Sequence, residues 1–375
     1  MKIFFNQPYF AGEEIQNIIN GGLTGHLSGN GIFTKKCHEF FEKKYRFKKA
    51  LLTTSCTDAL EMAAILSDVK PGDEVIIPSF TFVSTANAFV LRGAKIVFAD
   101  SSENTPNIDV EKVEDLINEN TKAIVVVHYA GIACDMDKIM DLAEKHNLFV
   151  IEDSAHAIDS YYKNKPLGSI GNLGAFSFHE TKNIISGEGG MLTVNDDKLV
   201  KRSEIIWEKG TNRAAFFRGE IKKYDWVDVG SSFLPSDIIA AILFGQISKL
   251  KEIQKMRLGV WNNYYKKLKP LEEKGLLQLP YIPSYATNNG HMFYIVTKNL
   301  TERNNLLKYL KKNNIYAVFH YLLLHSSEYY KDKHDGRELP NAERFSDCII
   351  RLPFYNVLKE EQIEYIVEKI NKFYN

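Results

Sequence analysis

The run Phe176-Ser177-Phe178-His179-Glu180-Thr181-Lys182-Asn183 sets a lysine just after a short apolar strand, and the glycine-rich turn Gly187-Glu188-Gly189-Gly190 follows it. Upstream, the apolar run Leu148-Phe149-Val150-Ile151 ends in Glu152-Asp153. An amine and a carboxylate at two strand ends suit a covalently held aldehyde cofactor. Lys182 forms the Schiff base, and Asp153 pairs with a protonated ring nitrogen. These are the two groups that pyridoxal phosphate requires of a protein. A free lysine is protonated near neutral pH and a poor nucleophile, so its chemistry depends on its surroundings. Taken alone, Lys182 reads as a surface lysine, and Asp153 equally suits a helix N-cap.

Other groups gather around the same chemistry. In Thr54-Ser55-Cys56-Thr57-Asp58 the hydroxyls and backbone N–H groups of Ser55, Cys56 and Thr57 are placed to hold a phosphate at a helix start. Simple N-capping by Ser55 or Thr57 is the alternative. No GxGxxG is present, which weighs against a dinucleotide cofactor and a nicotinamide oxidoreductase. Ser177 either adds a phosphate hydrogen bond or faces a neighbouring strand. Phe82, at the end of another strand, either stacks on a flat ring or packs in the core.

The elements that must position these residues are legible as short apolar runs alternating with helical periods. Strands are expected at 50–54, 74–78, 95–99, 123–127 and 148–151, with 175–178 and 191–194 flanking the lysine loop. Helices are expected at 57–66 and 136–146. Continuous apolar runs mark strands buried on both faces, so the pattern predicts an α/β fold with a large, mostly parallel sheet covered by helices on both sides. One long helix is predicted from Ser236 to about Leu268. Beyond it a smaller α+β unit is expected, with strands at 291–296 and 316–320 and helices at 302–312 and 359–373. The predicted division is a cofactor-binding domain over 1–250 and a C-terminal domain over 251–375.

Bulk properties narrow the function. The chain has 375 residues with 45% hydrophobic content, enough for more than one compact unit. Lys+Arg and Asp+Glu are both 47, so the basic excess of a nucleic-acid binder is missing. Cys37, Cys56, Cys134 and Cys348 are scattered without metal-site spacing and read as reduced thiols; no metal is expected. The start, Met1 to Pro8, lacks the apolar core of a signal peptide, and no apolar run approaches a membrane span. The expectation is a soluble, cytoplasmic protein.

Together, Glu152-Asp153-Ser154-Ala155-His156 and the 176–183 run resemble the DegT/DnrJ family of sugar aminotransferases over nearly the whole chain. The resemblance implies the pyridoxal-phosphate fold type I of aspartate aminotransferase, Lys182 as the Schiff-base lysine and Asp153 as the ring-nitrogen partner. It implies phosphate contacts from Ser177, Cys56 and Thr57, and ring stacking by Phe82. His156 stands where the family usually has glutamine, at the cofactor's ring oxygen. Ser232, in Ser232-Phe233-Leu234-Pro235, replaces an asparagine that reaches a phosphate in a partner subunit. The family further implies a homodimer with shared active sites. Residues 81–98, 128–131, 208–213, 216–219 and 317–321 resemble members that form dTDP-4-amino-4,6-dideoxygalactose. That resemblance implies transamination of dTDP-4-keto-6-deoxy-D-glucose with L-glutamate; the gluco epimer and a non-catalytic cofactor-bound sensor are the alternatives. Family members that dehydrate at C3 carry histidine in place of the lysine, and Lys182 argues against that route. Candidates for the sugar nucleotide are the loop 23–31, Tyr129, Arg213, Arg218, His320 and His325. The two arginines either grip a diphosphate or lie solvated on the surface.

Overall fold

The computed structural model describes residues 1–375. Helices α1 (Glu14–Leu23) and α2 (Ile32–Tyr45) lead into an alternating series: β1 (Lys49–Thr53), α3 (Cys56–Leu66), β2 (Glu74–Pro78), α4 (Val83–Val90), β3 (Lys95–Ala99), β4 (Thr121–Val127), α5 (Met136–His146) and β5 (Phe149–Asp153). A short hairpin of β6 (Tyr161–Tyr162) and β7 (Lys165–Pro166) precedes β8 (Leu173–Ser177) and β9 (Gly190–Val194). Helices α6 (Asp197–Trp207), α7 (Arg213–Phe217), α8 (Asp237–Ser248) and α9 (Leu250–Glu273) follow. The chain closes with β10 (Tyr294–Val296), α10 (Leu300–Lys312), α11 (Pro340–Cys348), β11 (Ile349–Arg351) and α12 (Glu360–Tyr374).

Seven strands form one sheet in the order β1-β9-β8-β5-β4-β2-β3. Strands β8, β5, β4, β2 and β3 pair in parallel, and β9 runs antiparallel between β1 and β8. Every strand except β9 therefore points the same way. Their carboxyl ends share one edge, which is where ligands collect in open α/β sheets. Residues 54–57, 79–82, 128–129, 153–156 and 177–182 all leave the sheet there. The strands are buried along nearly their whole length, as their unbroken Val/Ile content demands.

A second apolar core gathers Ile3 with residues drawn from 260–370, among them Tyr264, Phe293, Ile350 and Ile366. Strand β10 stands between the two cores. Ile295 points to this second core, while Tyr294 and Val296 face the sheet's core, as the two-residue period of a strand requires.

Three expected elements differ. The single helix over 236–268 is two helices, because Ser248 Oγ donates to Gly245 O at 2.7 Å and Lys249 takes non-helical angles (φ −111°, ψ 12°). Residues 316–320 do not form a strand. Val318 exchanges backbone bonds of 3.1 and 2.7 Å with Arg351, while Tyr316 N–H donates to Ile3 O at 3.0 Å on a different segment, so no continuous ladder forms. The strand expected from His291 begins at Tyr294, because the His291 N–H turns to Asn289 Oδ1 at 3.0 Å. No helix is long and apolar enough to cross a membrane.

Candidate active site

Lys182 lies in the connection between β8 and β9, and that connection is firmly held. Phe178 N–H donates to Gly189 O at 2.8 Å, Ser186 N–H to Phe178 O at 2.7 Å and Glu180 N–H to Gly187 O at 3.0 Å. Gly187 has φ +85° and Gly189 φ +158°, conformations that favour glycine and explain the glycine-rich turn. The next residue, Asn183, is buried and anchors the loop. Its Nδ2 donates to Gln254 Oε1 and to Asn289 O, both at 2.9 Å, and its amide oxygen meets His291 Nδ1 at 2.7 Å. The Lys182 amine itself has no hydrogen-bond or ion-pair partner in the protein. Burial lowers its pKa from 10.5 to about 8; Cys56 and Asp153 act in the opposite sense, and the Arg351 charge lowers it further.

Asp153 ends β5 and is buried, with 5% of its surface exposed. Thr85 Oγ1 donates to its Oδ2 at 2.7 Å and Ala155 N–H to its Oδ1 at 3.1 Å. No helix starts there, so the N-cap alternative falls away. Burial raises its pKa, against the opposing effects of those two hydrogen bonds and of the Lys182 charge. No cation lies within ion-pair distance of this carboxylate. Its neighbour Glu152 is differently employed. Fully buried, it accepts from Gly168, Ile170 and Gly171 N–H, each at 2.7 Å, and contacts His128 Nε2 at 3.0 Å. Cys134 N–H donates to His128 Nδ1 at 3.2 Å, which leaves the ring proton on Nε2, facing Glu152.

Ser55 caps α3, its hydroxyl accepting from Asp58 N–H at 3.1 Å. The Cys56 and Thr57 N–H groups have no acceptor inside the helix, as at any helix start. Thr57 Oγ1 lies 2.8 Å from Ser84 Oγ, joining the starts of α3 and α4. Strand β9 comes against this point. A Cβ on Gly190 would stand 2.3 Å from Ser55 C and 2.4 Å from Cys56 N, so only glycine fits.

These groups surround one cavity of about 640 Å³. Lys182, Asp153, Ser55, Cys56, Thr57 and Ser177 line it; so do Phe82, His156 and His320. Phe82 is 56% exposed at the rim, which excludes the core-packing alternative. His156 stacks on His291 at 4.3 Å, and its Nδ1 accepts from Ala130 N–H at 3.3 Å, so its proton sits on Nε2. Burial pushes its pKa well below 6.5, with the charges of Lys182, His320 and Arg351 adding to the effect; the ring is a neutral donor. Beside it, Arg351 Nη1 donates to His320 Nε2 at 3.2 Å, which leaves the ring proton of His320 on Nδ1, 3.1 Å from the Tyr129 hydroxyl.

The structure does not bring every sequence candidate to this cavity. Tyr129 is buried behind it, its hydroxyl on His320 and its ring against His156 and Tyr321, which line the cavity. Ser232 is exposed and bridges to Glu208. His325 contacts Ser79 Oγ at 2.7 Å, among Phe98 and His334. Arg213 and Arg218 line a separate cavity of about 600 Å³, together with His26, Gly29 and Asn30 of the 23–31 loop. Arg218 already holds Glu204 at 2.8 Å and Glu220 at 2.6 Å, while Arg213 has its nearest carboxylate, Glu208, only at 4.0 Å. Four residues passed over in the sequence prove central: Thr85, Asn183, His291 and Arg351. Of these only Arg351 left a usable signal, a lone charge inside the apolar run Ile349-Ile350-Arg351-Leu352.

The arrangement fits pyridoxal phosphate. A buried carboxylate without a cation matches a pyridinium. A partnerless amine matches an aldehyde. A helix start with free N–H groups beside Ser177 matches a phosphate. The sequence pattern of the DegT/DnrJ/EryC1/StrS aminotransferase family matches residues 10–371. The chain is 33% identical to the spore coat polysaccharide biosynthesis protein SpsC of Bacillus subtilis, over 98% of this chain and 95% of that one. It is also 33% identical to the uncharacterized protein MJ1066 of Methanocaldococcus jannaschii, over 98% and 96% respectively. The putative sugar aminotransferase Spr1654 of Streptococcus pneumoniae, solved in its PMP form, superposes with a TM-score of 0.91 at 26% identity, covering 100% of this chain and 98% of that one.

Proposed function

Because the chain belongs to the DegT/DnrJ/EryC1/StrS aminotransferase family and is a pyridoxal-phosphate-dependent sugar aminotransferase, we propose that it moves the amino group of L-glutamate to C4 of dTDP-4-keto-6-deoxy-D-glucose. The products in this reading are dTDP-4-amino-4,6-dideoxy-D-galactose and 2-oxoglutarate. One observation carries the chemistry: a partnerless Lys182 amine and an uncompensated Asp153 carboxylate face one cavity at the carboxyl edge of the sheet. The finer substrate reading is supported by the stretches 81–98, 208–213 and 216–219, which resemble members that make the galacto amino sugar.

Bound in this cavity, pyridoxal phosphate supplies an electron sink for a carbon that loses a proton. Asp153 holds positive charge on the ring nitrogen, and Thr85 and Ala155 keep that carboxylate aimed. The N–H groups of Cys56 and Thr57, with Ser55 and Ser177, would hold the phosphate. Phe82 would cover one face of the ring, and His156 Nε2–H would donate toward the ring oxygen. Lys182, with its lowered pKa, carries a proton away from the donor's α-carbon and later delivers one to the sugar carbon; such a base is worth roughly 10²–10⁴-fold. In the same reading residues 1–250 form the cofactor domain and 251–375 the second domain. Two copies complete each other's sites. The exposed Leu23, Phe217 and Trp226 offer apolar surface for that contact.

The test is product formation from L-glutamate and dTDP-4-keto-6-deoxy-D-glucose, read by proton NMR. An axial amine at C4 gives a small H3–H4 coupling and the galacto product. A large diaxial coupling there identifies the gluco epimer and overturns the stereochemical part. Near-wild-type turnover by Lys182→Ala overturns the catalytic assignment.

A further inference from the structure

His291 lies between α9 and β10 and touches two separate parts of the cofactor site. Its Nδ1 meets Asn183 Oδ1 at 2.7 Å, and Asn183 directly follows Lys182. Asn183 Nδ2 already donates to Gln254 Oε1 and Asn289 O, so its oxygen is the acceptor and the His291 proton sits on Nδ1. The face of the same ring lies against His156, with centroids 4.3 Å apart and planes 18° from parallel. His156 depends on that face. Its ring has one hydrogen bond within the protein, the long one from Ala130 N–H at 3.3 Å, and its other ring neighbours, Tyr129 and His320, stand at 5.8 and 6.4 Å. One bond on Nδ1 does not fix a plane, so the direction of His156 Nε2–H follows the stack. His291 is itself held from several sides. Its N–H donates to Asn289 Oδ1 at 3.0 Å, and its carbonyl accepts from Arg257 Nη2 at 2.6 Å. Asn289 Nδ2 donates in turn to His156 O at 2.8 Å, which closes a circuit through residues 183, 291, 289 and 156. Burial, with His156 and the Lys182 charge adding to it, holds the His291 pKa well below 6.5, so the ring is neutral.

We propose that His291 is a positioning residue that aligns the two cofactor-facing groups on either side of it: its Nδ1–H holds the Lys182 loop through Asn183, and its ring face holds the plane of His156. The inference rests on the pyridoxal-phosphate reading of the cavity and deepens it. A histidine that only filled space would need neither the bond nor the stack. Imidazole supplies both at once, a flat face and a donor at the δ position. Phenylalanine supplies only the face, and asparagine only the donor. The two duties run through different atoms and are therefore separable.

His291→Asn keeps a donor at the position of Nδ1 and removes the ring; His291→Phe keeps a ring and removes the donor. Two readouts are taken on each. The first is a pulse of pyridoxal phosphate on apoprotein, quenched with borohydride, with attachment at Lys182 measured by peptide mass spectrometry. It reports the loop without turnover. The second is the pH midpoint of the bound cofactor's visible absorbance band. A donor at the ring oxygen draws electron density away from the proton shared with the Lys182 linkage and keeps that midpoint low. The charged groups facing the site, Asp153 and Arg351, are the same in every variant. His291→Asn is expected to leave attachment within about twofold of wild type and to raise the midpoint by about one pH unit, the size of one hydrogen bond. His291→Phe is expected to slow attachment by at least about tenfold and to leave the midpoint within about 0.3 unit. His156→Ala raises the midpoint at least as far as His291→Asn, and combining the two raises it no further, since His291 acts on the midpoint through His156. Should His291→Phe not fold, His291→Asn and the double variant still decide. The proposal is overturned if the two midpoint shifts add, if His156→Ala leaves the midpoint in place, or if both His291 variants change both readouts alike, as lost packing alone would do. Failure of wild-type apoprotein to take up pyridoxal phosphate at Lys182 overturns the cofactor reading itself.

Discussion

The lowered pKa of Lys182 makes a quantitative prediction about the apoprotein. At a pKa of about 8, roughly one amine in ten is neutral at pH 7, against roughly one in three thousand for a lysine at 10.5. The neutral form is the nucleophile, so Lys182 starts with about a 300-fold advantage in reactive population over surface lysines. Lower basicity reduces the intrinsic reactivity of each neutral amine, but it does not move the midpoint. The assay is a short pulse of pyridoxal phosphate on apoprotein across pH 6 to 10, quenched with borohydride and mapped by peptide mass spectrometry. Exposed lysines serve as internal controls and cancel the reagent's own titration. Attachment at Lys182 should rise about tenfold per pH unit up to about 8 and then level, while the exposed lysines keep rising. The signs of two variants follow from the charges. Asp153→Asn removes an anion that favours the ammonium form, so the midpoint falls. Arg351→Gln removes a cation that opposes it, so the midpoint rises. A Lys182 midpoint near that of the exposed lysines, or both variants moving it the same way, refutes the reasoning.

Three further perturbations follow from the geometry. Glu152→Gln replaces one acceptor oxygen by an NH₂ group that must face buried N–H donors, and apoprotein stability in urea should fall by about 3–5 kcal/mol. A loss below about 1 kcal/mol contradicts that account. Gly190→Ala pushes β9 off the start of α3, so equilibrium dialysis should show pyridoxal phosphate binding weakened by at least about tenfold; Gly259→Ala, in open space on α9, instead stabilises by about 0.5–1 kcal/mol. Thr85→Ala removes a hydrogen bond that holds the Asp153 pKa down, so the acid limb of the kcat/KM profile should move to higher pH; an unmoved limb breaks the link between that threonine and the ring-nitrogen site.

What the sequence disclosed follows from how local each signal is. The runs 74–78 and 95–99 and the helix 136–146 were legible residue for residue, because apolar composition and bounding turns are written within the segment. The Lys182 and Asp153 strand ends were legible for the same reason. The break at Lys249 was not, because the helical period runs through it and the interruption comes from a Ser248 side-chain bond to the backbone. The segment 316–320 has strand composition, yet its backbone bonds go to two different segments, Tyr316 to Ile3 and Val318 to Arg351, and build no ladder. Arg351, His291 and Thr85 reach the cavity through partners scores of residues away, and no local window carries that information. Arg213 and Arg218 show the converse: residue type suggested an anion grip, but two glutamates already occupy Arg218.

Glu152 and Asp153 are adjacent in sequence yet belong to opposite faces of one strand. The first is buried among backbone donors on one side, and the second faces the cavity from the other. The reading frame of β5 thus assigns their duties. A single-residue deletion between Leu148 and Ile151, harmless to the hydrophobic character of the segment, would move Asp153 into the place of Glu152 and Glu152 into the place of Ile151. The anchoring carboxylate would be pressed into the apolar core around Ile151 and the reactive one turned toward the 168–171 loop, out of the cavity. Tolerance to length variation should therefore be at its lowest in this five-residue strand, while substitutions that preserve its phase, such as Val150→Ile, are absorbed as ordinary core changes.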